Sequence, residues 1–333
     1  MSREHRVAAG LFALTLASVY WTYGFFWSGG DPFGDPAVAR DSASFALALM
    51  GILGAHELGH YLVGRRHGIE MSPPYFIPFP MAFGTFGAII QMKSPPDNRT
   101  ALLEMGAAGP LAGAVVAFGC LLIGLPGTTE PLPVALPPTD PVELNAALES
   151  VLSVLDLLLM PLNLLMESLG LVPQVGEGDV PVLIFNNPPV MDLLGVVLLG
   201  APPGRFDTLT PVALAGWVGC LLTAINLVPI GQLDGGHVLG AWAPRWSARV
   251  SRVLLLVAIA AGVLWTGWAF WAVLLWWMRA NVGVETDRSS HLTRRARVLA
   301  AACVVVFFLT FMPRPVELDV LPPELLDATV TDR

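Results

Sequence analysis

Charge is what this sequence has least of. Asp, Glu, Lys and Arg make up 13% of its 333 residues, where ordinary soluble domains carry about a quarter. With 54% hydrophobic residues and a mean hydropathy of +0.65, that scarcity excludes an ordinary soluble domain and predicts a polytopic membrane protein. Lysine is almost missing. Lys93 is the single lysine among 18 basic residues, which argues against a polybasic surface and a nucleic-acid partner. Cysteine is scarce as well. Cys120, Cys220 and Cys303 stand singly in apolar runs without ligand spacing, so they read as packing residues rather than a disulfide framework. Internal repeats and a soluble domain are also missing.

What the chain does have is apolar runs, each long enough to be weighed as a membrane span of about 20 residues. Val7–Trp27 is the first. It is too long for a signal peptide, no small-x-small site follows it, and it reads as a retained anchor. Tyr20, Trp21, Tyr23 and Trp27 read as an interfacial belt. Ala43–Gly64 is the second run and ends in Arg65-Arg66, which favours the cytoplasmic side and puts the N-terminus inside.

Between Ile69 and Lys93 the prolines at 73, 74, 78 and 80 exclude a helix. Gly84–Met92 reads as a short strand, open to two roles: a membrane-dipping hairpin, or an edge that pairs with an unwound substrate. Ala101–Leu125 is the third span, entered through Gly106-Ala-Ala-Gly109-Pro-Leu-Ala-Gly113, small residues that allow close helix contact or keep a gap for substrate.

Pro126–Thr210 opens with a proline-rich linker. A Leu-rich run, Glu143–Leu171, follows, and its acids suggest an outer-surface or half-inserted segment. Pro211–Leu227 is the next span, interrupted by Asn226-Leu-Val-Pro229 and then Asp234-Gly235-Gly236-His237. Counting basic residues by side favours a hairpin within Val253–Met278 near Gly262–Gly267, whereas length favours one tilted helix. Val298–Met312 is the last span.

The expected fold is therefore a polytopic all-α membrane protein of about 6–8 membrane segments, with a short membrane-associated strand or hairpin near the site. Residues 1–42 form the anchor and outer loop, 43–252 the core, 253–313 the C-terminal helices and 314–333 an acidic tail. The expected location is an integral position in a bacterial inner membrane, with the site toward the cytoplasm.

The chemistry gathers in two places. His56-Glu57-Leu58-Gly59-His60 puts two imidazoles one turn apart on one helix face, able to grip one metal ion. Glu57 beside them is placed to take a proton from water. Hydrolytic zinc needs a third protein ligand. The candidates are Asp234, His237, Asp156 and Glu167. Asp234 is preferred because an unpaired aspartate in a broken span is otherwise expensive; His237 reads better as a supporting polar residue. His5, His67 and His291 lie among arginines and read as solvated.

His-Glu-Leu-Gly-His together with Asn226-x-x-Pro229-x-x-x-x-Asp234-Gly235 resembles the paired signatures of the site-2 protease family of intramembrane zinc metalloproteases. Phe86-Gly-Ala-Ile-Ile-Gln91 and Gly109-Pro-Leu-Ala-Gly113 are similar to a bacterial and chloroplast branch that lacks a PDZ domain. The resemblance implies one zinc ion on His56, His60 and Asp234, with Glu57 as general base. It implies cleavage within the transmembrane segment of a single-pass membrane protein in the bilayer, commonly after a first cut, as in regulated intramembrane proteolysis. It points to Asn226 for contact with unwound substrate; Pro229 in the same break and Gly87, Ala88 and Ile89 of the strand are further candidates for holding it, read from their place in the sequence.

Three rivals remain in view. A zinc membrane protease with a downstream glutamate as third ligand keeps the histidines. A metal-ion transporter would string several sites across the membrane. A non-catalytic scaffold would usually lose the glutamate that Glu57 retains.

Overall fold

The protein is seen here as a computed structural model that describes residues 3–128, 180–204, 207–262, 268, 271–273, 275–276 and 291–321. Its architecture is mostly helical. Helix α1 (Arg3–Thr22) widens into a π-turn at Tyr23–Trp27. Helix α2 (Pro36–Arg66) is started by Asp35, whose carboxylate accepts from the Ala37 amide, and by Pro36, whose missing N–H costs nothing in a first turn. Helix α3 (Arg99–Gly124) is capped in the same way by Asn98. These three, with their terminal turns, are the described helices long and apolar enough to cross a membrane. They are followed by α4 (Pro189–Leu199), α5 (Pro211–Leu227), α6 (Asp234–Trp242), α7 (Pro244–Ala261) and α8 (Arg294–Thr310).

Helix α3 is the centre of the bundle, packed on α2, α5 and α6. Phe45 and Leu49 of α2, Leu121 of α3 and Trp217 of α5 meet in its main core. The helices are sorted by charge. The start of α1, the end of α2 and the starts of α3 and α8 all carry arginine, and the opposite end holds only Arg40 and Arg314 among the described residues. The arginine-bearing end is tied together by Lys93 to Glu4 at 2.8 Å and by His67 to Glu104 at 3.0 Å.

The expected hairpin is present: β1 (Tyr75–Pro78) pairs antiparallel with β2 (Thr85–Ile89), Phe76 opposite Ala88. It reaches further than a surface dip. Met71 lies beside Gly64 near the arginine-bearing end of α2. At the hairpin's tip the Ala82 carbonyl accepts from Trp27 Nε1 at 2.7 Å, beyond the far end of α1. Gly84 makes that possible with a φ of +85° and no side chain against the α1 backbone at Val19. The hairpin packs against α1 along β1 and is half-buried, with Phe86 and Ile89 of β2 exposed.

A second ribbon was not expected. Strand β3 (Val180–Phe185) pairs antiparallel with β4 (Val316–Leu321) through six residues, Val180 opposite Leu321 and Phe185 opposite Val316. It brings the stretch before α4 together with the stretch after α8. Trp217 Nε1 donates to the Asn186 carbonyl at 2.8 Å and fastens this ribbon to α5. The aromatic belt also needs revision. Tyr23 is buried against Phe45, ring centroids 4.7 Å apart, and Tyr20 donates to the Pro32 carbonyl, so both serve internal packing. Trp21 stays exposed.

Beyond α7, Ala272 and Leu275 share a core cluster with Leu255 and Ala258, as a chain that doubles back would place them. The connection between them lies outside the described residues, as do Glu143–Leu171, with Asp156 and Glu167, and the tail after Leu321.

Candidate metal centre

The two motifs meet. His56 and His60 project from one face of α2, and Asp234 is the first residue of α6. His56 Nε2 lies 3.2 Å from Asp234 Oδ2, His60 Nε2 lies 3.2 Å from Oδ1, and the two Nε2 atoms are 3.1 Å apart. Ligand atoms on a tetrahedral centre at zinc distances would stand about 3.3 Å apart. The trio therefore fits zinc in number, chemistry and spacing, and it is the one such His/Cys/Asp/Glu group among the described residues.

A backbone carbonyl of α3 explains why the His60 nitrogen faces inward. His60 Nδ1 donates to the Met105 carbonyl of α3 at 2.8 Å, which leaves the lone pair of Nε2 pointing into the trio. Room for these rings comes from α3. A Cβ at Gly109 would collide with the His60 ring, and one at Gly113 would lie 3.2 Å from His56 Cβ. The small-residue stretch is thus a seat for the two histidines as well as a helix contact.

Asp234 reaches the histidines because α5 stops. Leu227 is its last residue, and Pro229 and Gly231 lie in the break that follows. Gly235 and Gly236 then press against the backbone of that break, at Leu227 and at Gly231, where any side chain would clash. The new helix starts with its N-terminus, and hence the Asp234 carboxylate, turned toward α2, an end of the helix dipole that favours an anion.

Glu57 is buried beside the trio, within electrostatic reach of His56, His60 and Asp234, and its carboxylate makes no hydrogen bond among the described residues. His237 lies outside the trio and bonds to the Gln232 backbone, as a supporting residue would. Asn226 is in the last turn of α5, half-buried; Pro229 sits in the break, its carbonyl accepting from Ser251 of α7 at 3.1 Å. Gly87, Ala88 and Ile89 lie in β2, which packs on α2 but does not join the trio. Among the described residues β2 pairs only with β1, so its other edge has no strand partner.

One reading is corrected. His67 is half-buried and paired with Glu104, which Arg295 also approaches at 3.8 Å. A solvated reading missed this because Glu104 sits 37 positions away, inside an apolar run whose spacing says nothing about its partner.

Comparison with known proteins gives a consistent picture. The family model described as "Peptidase family M50" matches residues 44–265. Among curated proteins, "Probable zinc metalloprotease EGY2, chloroplastic" from Oryza sativa subsp. indica is 29% identical over 301 residues, 89% of this chain and 46% of that protein. "Probable zinc metalloprotease EGY1, chloroplastic" from Arabidopsis thaliana is 29% identical over 249 residues, 73% of this chain and 37% of that one. The chain thus spans less than half the length of these relatives. No solved structure matches it.

Proposed function

The chain belongs to peptidase family M50, and from that premise we propose that it is a zinc-dependent endopeptidase cutting a transmembrane segment of a membrane-protein substrate. The observation that carries the proposal is the convergence of His56, His60 and Asp234 beside a buried Glu57. In this reading the two imidazoles and the carboxylate hold one zinc ion. When bound, zinc supplies Lewis-acid polarisation of the scissile carbonyl and makes a water acidic enough to attack near neutral pH. Glu57 does the proton work. Its carboxylate takes a proton from the attacking water and returns it to the amide nitrogen as the peptide bond breaks. Met105 contributes only its carbonyl, which keeps His60 in the tautomer that binds.

A helical substrate hides its carbonyls in its own hydrogen bonds, so it must be unwound before attack. The free edge of β2 supports a role for Gly87, Ala88 and Ile89 in holding the extended segment. Asn226 and Pro229, beside the break that delivers Asp234, are proposed to contact the same segment. The substrate is proposed to be single-pass, and the setting regulated intramembrane proteolysis. Residues 43–252 are taken as the protease core. Helices α5 and α8, 17 residues each, would extend about 25 Å and add to the three longer spans toward the six to eight expected.

The apolar helices and the family support an integral membrane protein. The relatives are named chloroplastic, so the comparisons lend no support to a bacterial inner membrane. What is carried forward is a site nearer the arginine-bearing end: Glu57 stands about 14 Å along α2 from Arg66.

The test is cleavage of a single-pass helical reporter co-reconstituted in vesicles. Glu57→Gln should keep its zinc and lose cleavage by roughly 10²–10⁴-fold, the usual worth of a general base. A Gln variant as active as wild type would remove the mechanism.

A further inference from the structure

The trio depends on a nine-residue helix that is too short to hold its own shape and takes its position from the elements it packs on, α3 above all. Helix α6 carries Asp234 at its first position, has glycine at 235, 236 and 240, and follows a break rather than a rigid element. Isolated helices of that length are marginal, and glycine weakens them further. We propose that Arg99 is a positioning residue that fixes Asp234 by clamping the opposite end of α6. The proposal rests on the zinc reading above.

The clamp is a fork. Arg99 Nε donates to the Ala241 carbonyl at 2.8 Å, and one terminal nitrogen, Nη2, donates to the Trp242 carbonyl at 2.9 Å. These carbonyls end α6, where helical partners run out and the helix dipole is negative. A planar guanidinium satisfies both at once and brings the favoured charge.

Arg99 is itself fixed, as the first residue of α3 behind the Asn98 cap. Two turns further along α3, Gly106 faces the other end of α6. A Cβ there would lie 3.4 Å from the Asp234 carbonyl oxygen and 3.1 Å from His237 Cβ. Helix α3 thus grips α6 at both ends. It also orients His60 through Met105, so the separation of the third donor from the second is set by one rigid body.

The experiment uses the full-length protein in detergent or nanodiscs. It reads zinc affinity by chelator competition and the thermal midpoint of the zinc-free form. Arg99→Gln should lower zinc affinity by up to about tenfold, the least that losing a group bonded directly to a ligand costs, while the zinc-free midpoint holds. Arg99→Lys, offering an ammonium in place of the fork, should fall between that variant and wild type. Arg66→Gln, exposed at the end of α2, should change neither reading.

Wild-type zinc affinity in Arg99→Gln overturns the proposal. So does an affinity loss matched by collapse of the zinc-free midpoint, because that marks general loosening of the bundle. Asp234→Ala in the same assay separates the two levels. If it keeps full zinc affinity, the reading of the centre fails; if it loses zinc and Arg99→Gln does not, only the clamp fails.

Discussion

At the scale of single residues, the centre is a problem of placing lone pairs. Two imidazole nitrogens and two carboxylate oxygens are aimed at one point, 3.2 Å apart across each His–Asp pair, and a zinc ion there would use the lone pairs of all three groups at once. Zinc binding should therefore be felt as stability of the folded protein. At a hundred times its dissociation constant, a ligand specific for the native state adds about 2.7 kcal/mol. Wild type should show that gain as a zinc-dependent rise in thermal midpoint, and Asp234→Ala should lose most of it. A midpoint in Asp234→Ala that rises as far as wild type would point to a different third ligand.

Glu104 poses the opposite problem. It is a carboxylate 5% exposed, held by His67 and approached by Arg295. Removing a buried partner leaves the other group unsatisfied, which costs about 1–3 kcal/mol. Glu104→Ala should lose that much in denaturant unfolding. Glu104→Gln, which can still accept a bond from His67, should lose less.

At the scale of elements, α3 shows what a sequence displays and what it hides. The HELGH helix, the interrupted span and the hairpin were legible because each advertises itself locally: histidines four apart, asparagine and proline closing an apolar run, prolines that forbid helix. Asp234 as partner of the two histidines was legible by the cost of leaving it alone. The seat that α3 provides was only half legible. Its glycines marked a close approach, yet nothing local says that His60 is what approaches Gly109. Arg99 was hidden for the same reason, since its acceptors are carbonyls more than 140 positions away. Strands β3 and β4 were overlooked because each is short and its partner lies beyond helices α4 to α8, although Val316-Glu-Leu-Asp-Val-Leu321 alternates as a strand should.

The glycines make a sharp contrast. In a helix interior, alanine is favoured over glycine by about 1 kcal/mol. Gly119→Ala should realise that gain, because a Cβ there meets nothing within 4 Å. Gly109→Ala should not, because its methyl would enter the His60 ring and drive it off the Met105 carbonyl. The expected result is normal zinc and a slightly higher midpoint for the first, and lost zinc for the second. Equal zinc affinity in both variants would mean that α3 does not seat the ligand.

At the scale of the whole molecule, most of the polar ties between distant described residues outside the centre fall into two sets. One joins the arginine-bearing ends: Glu4 to Lys93, His67 to Glu104, Arg99 to the end of α6, and Thr100 to the backbone of His291. The other joins the opposite ends: Tyr20 to Pro32, Trp27 to Ala82, Asn186 to Arg314, and Trp217 to Asn186. Between them the described side chains are overwhelmingly apolar, and the buried charge there is that of the trio and Glu57. Such sorting is what a bilayer demands: polar groups at two surfaces, and charge at depth only where chemistry uses it.

That division is testable by chemical labelling, and the chain is suited to it because all three native cysteines are buried. Ala37 lies in the first turn of α2 at one end and Glu70 follows the helix at the other, both exposed. A cysteine at each position, tested singly in sealed vesicles with a membrane-impermeant maleimide, should react at one position and stay protected at the other until the membrane is permeabilised. Since arginines favour the cytoplasmic face, the protected position in outward-facing vesicles should be Glu70. Reaction at both positions in intact vesicles would show that α2 does not cross. Glu57 would then sit in a water-facing cleft, and the need to unwind a helix in lipid would disappear with it.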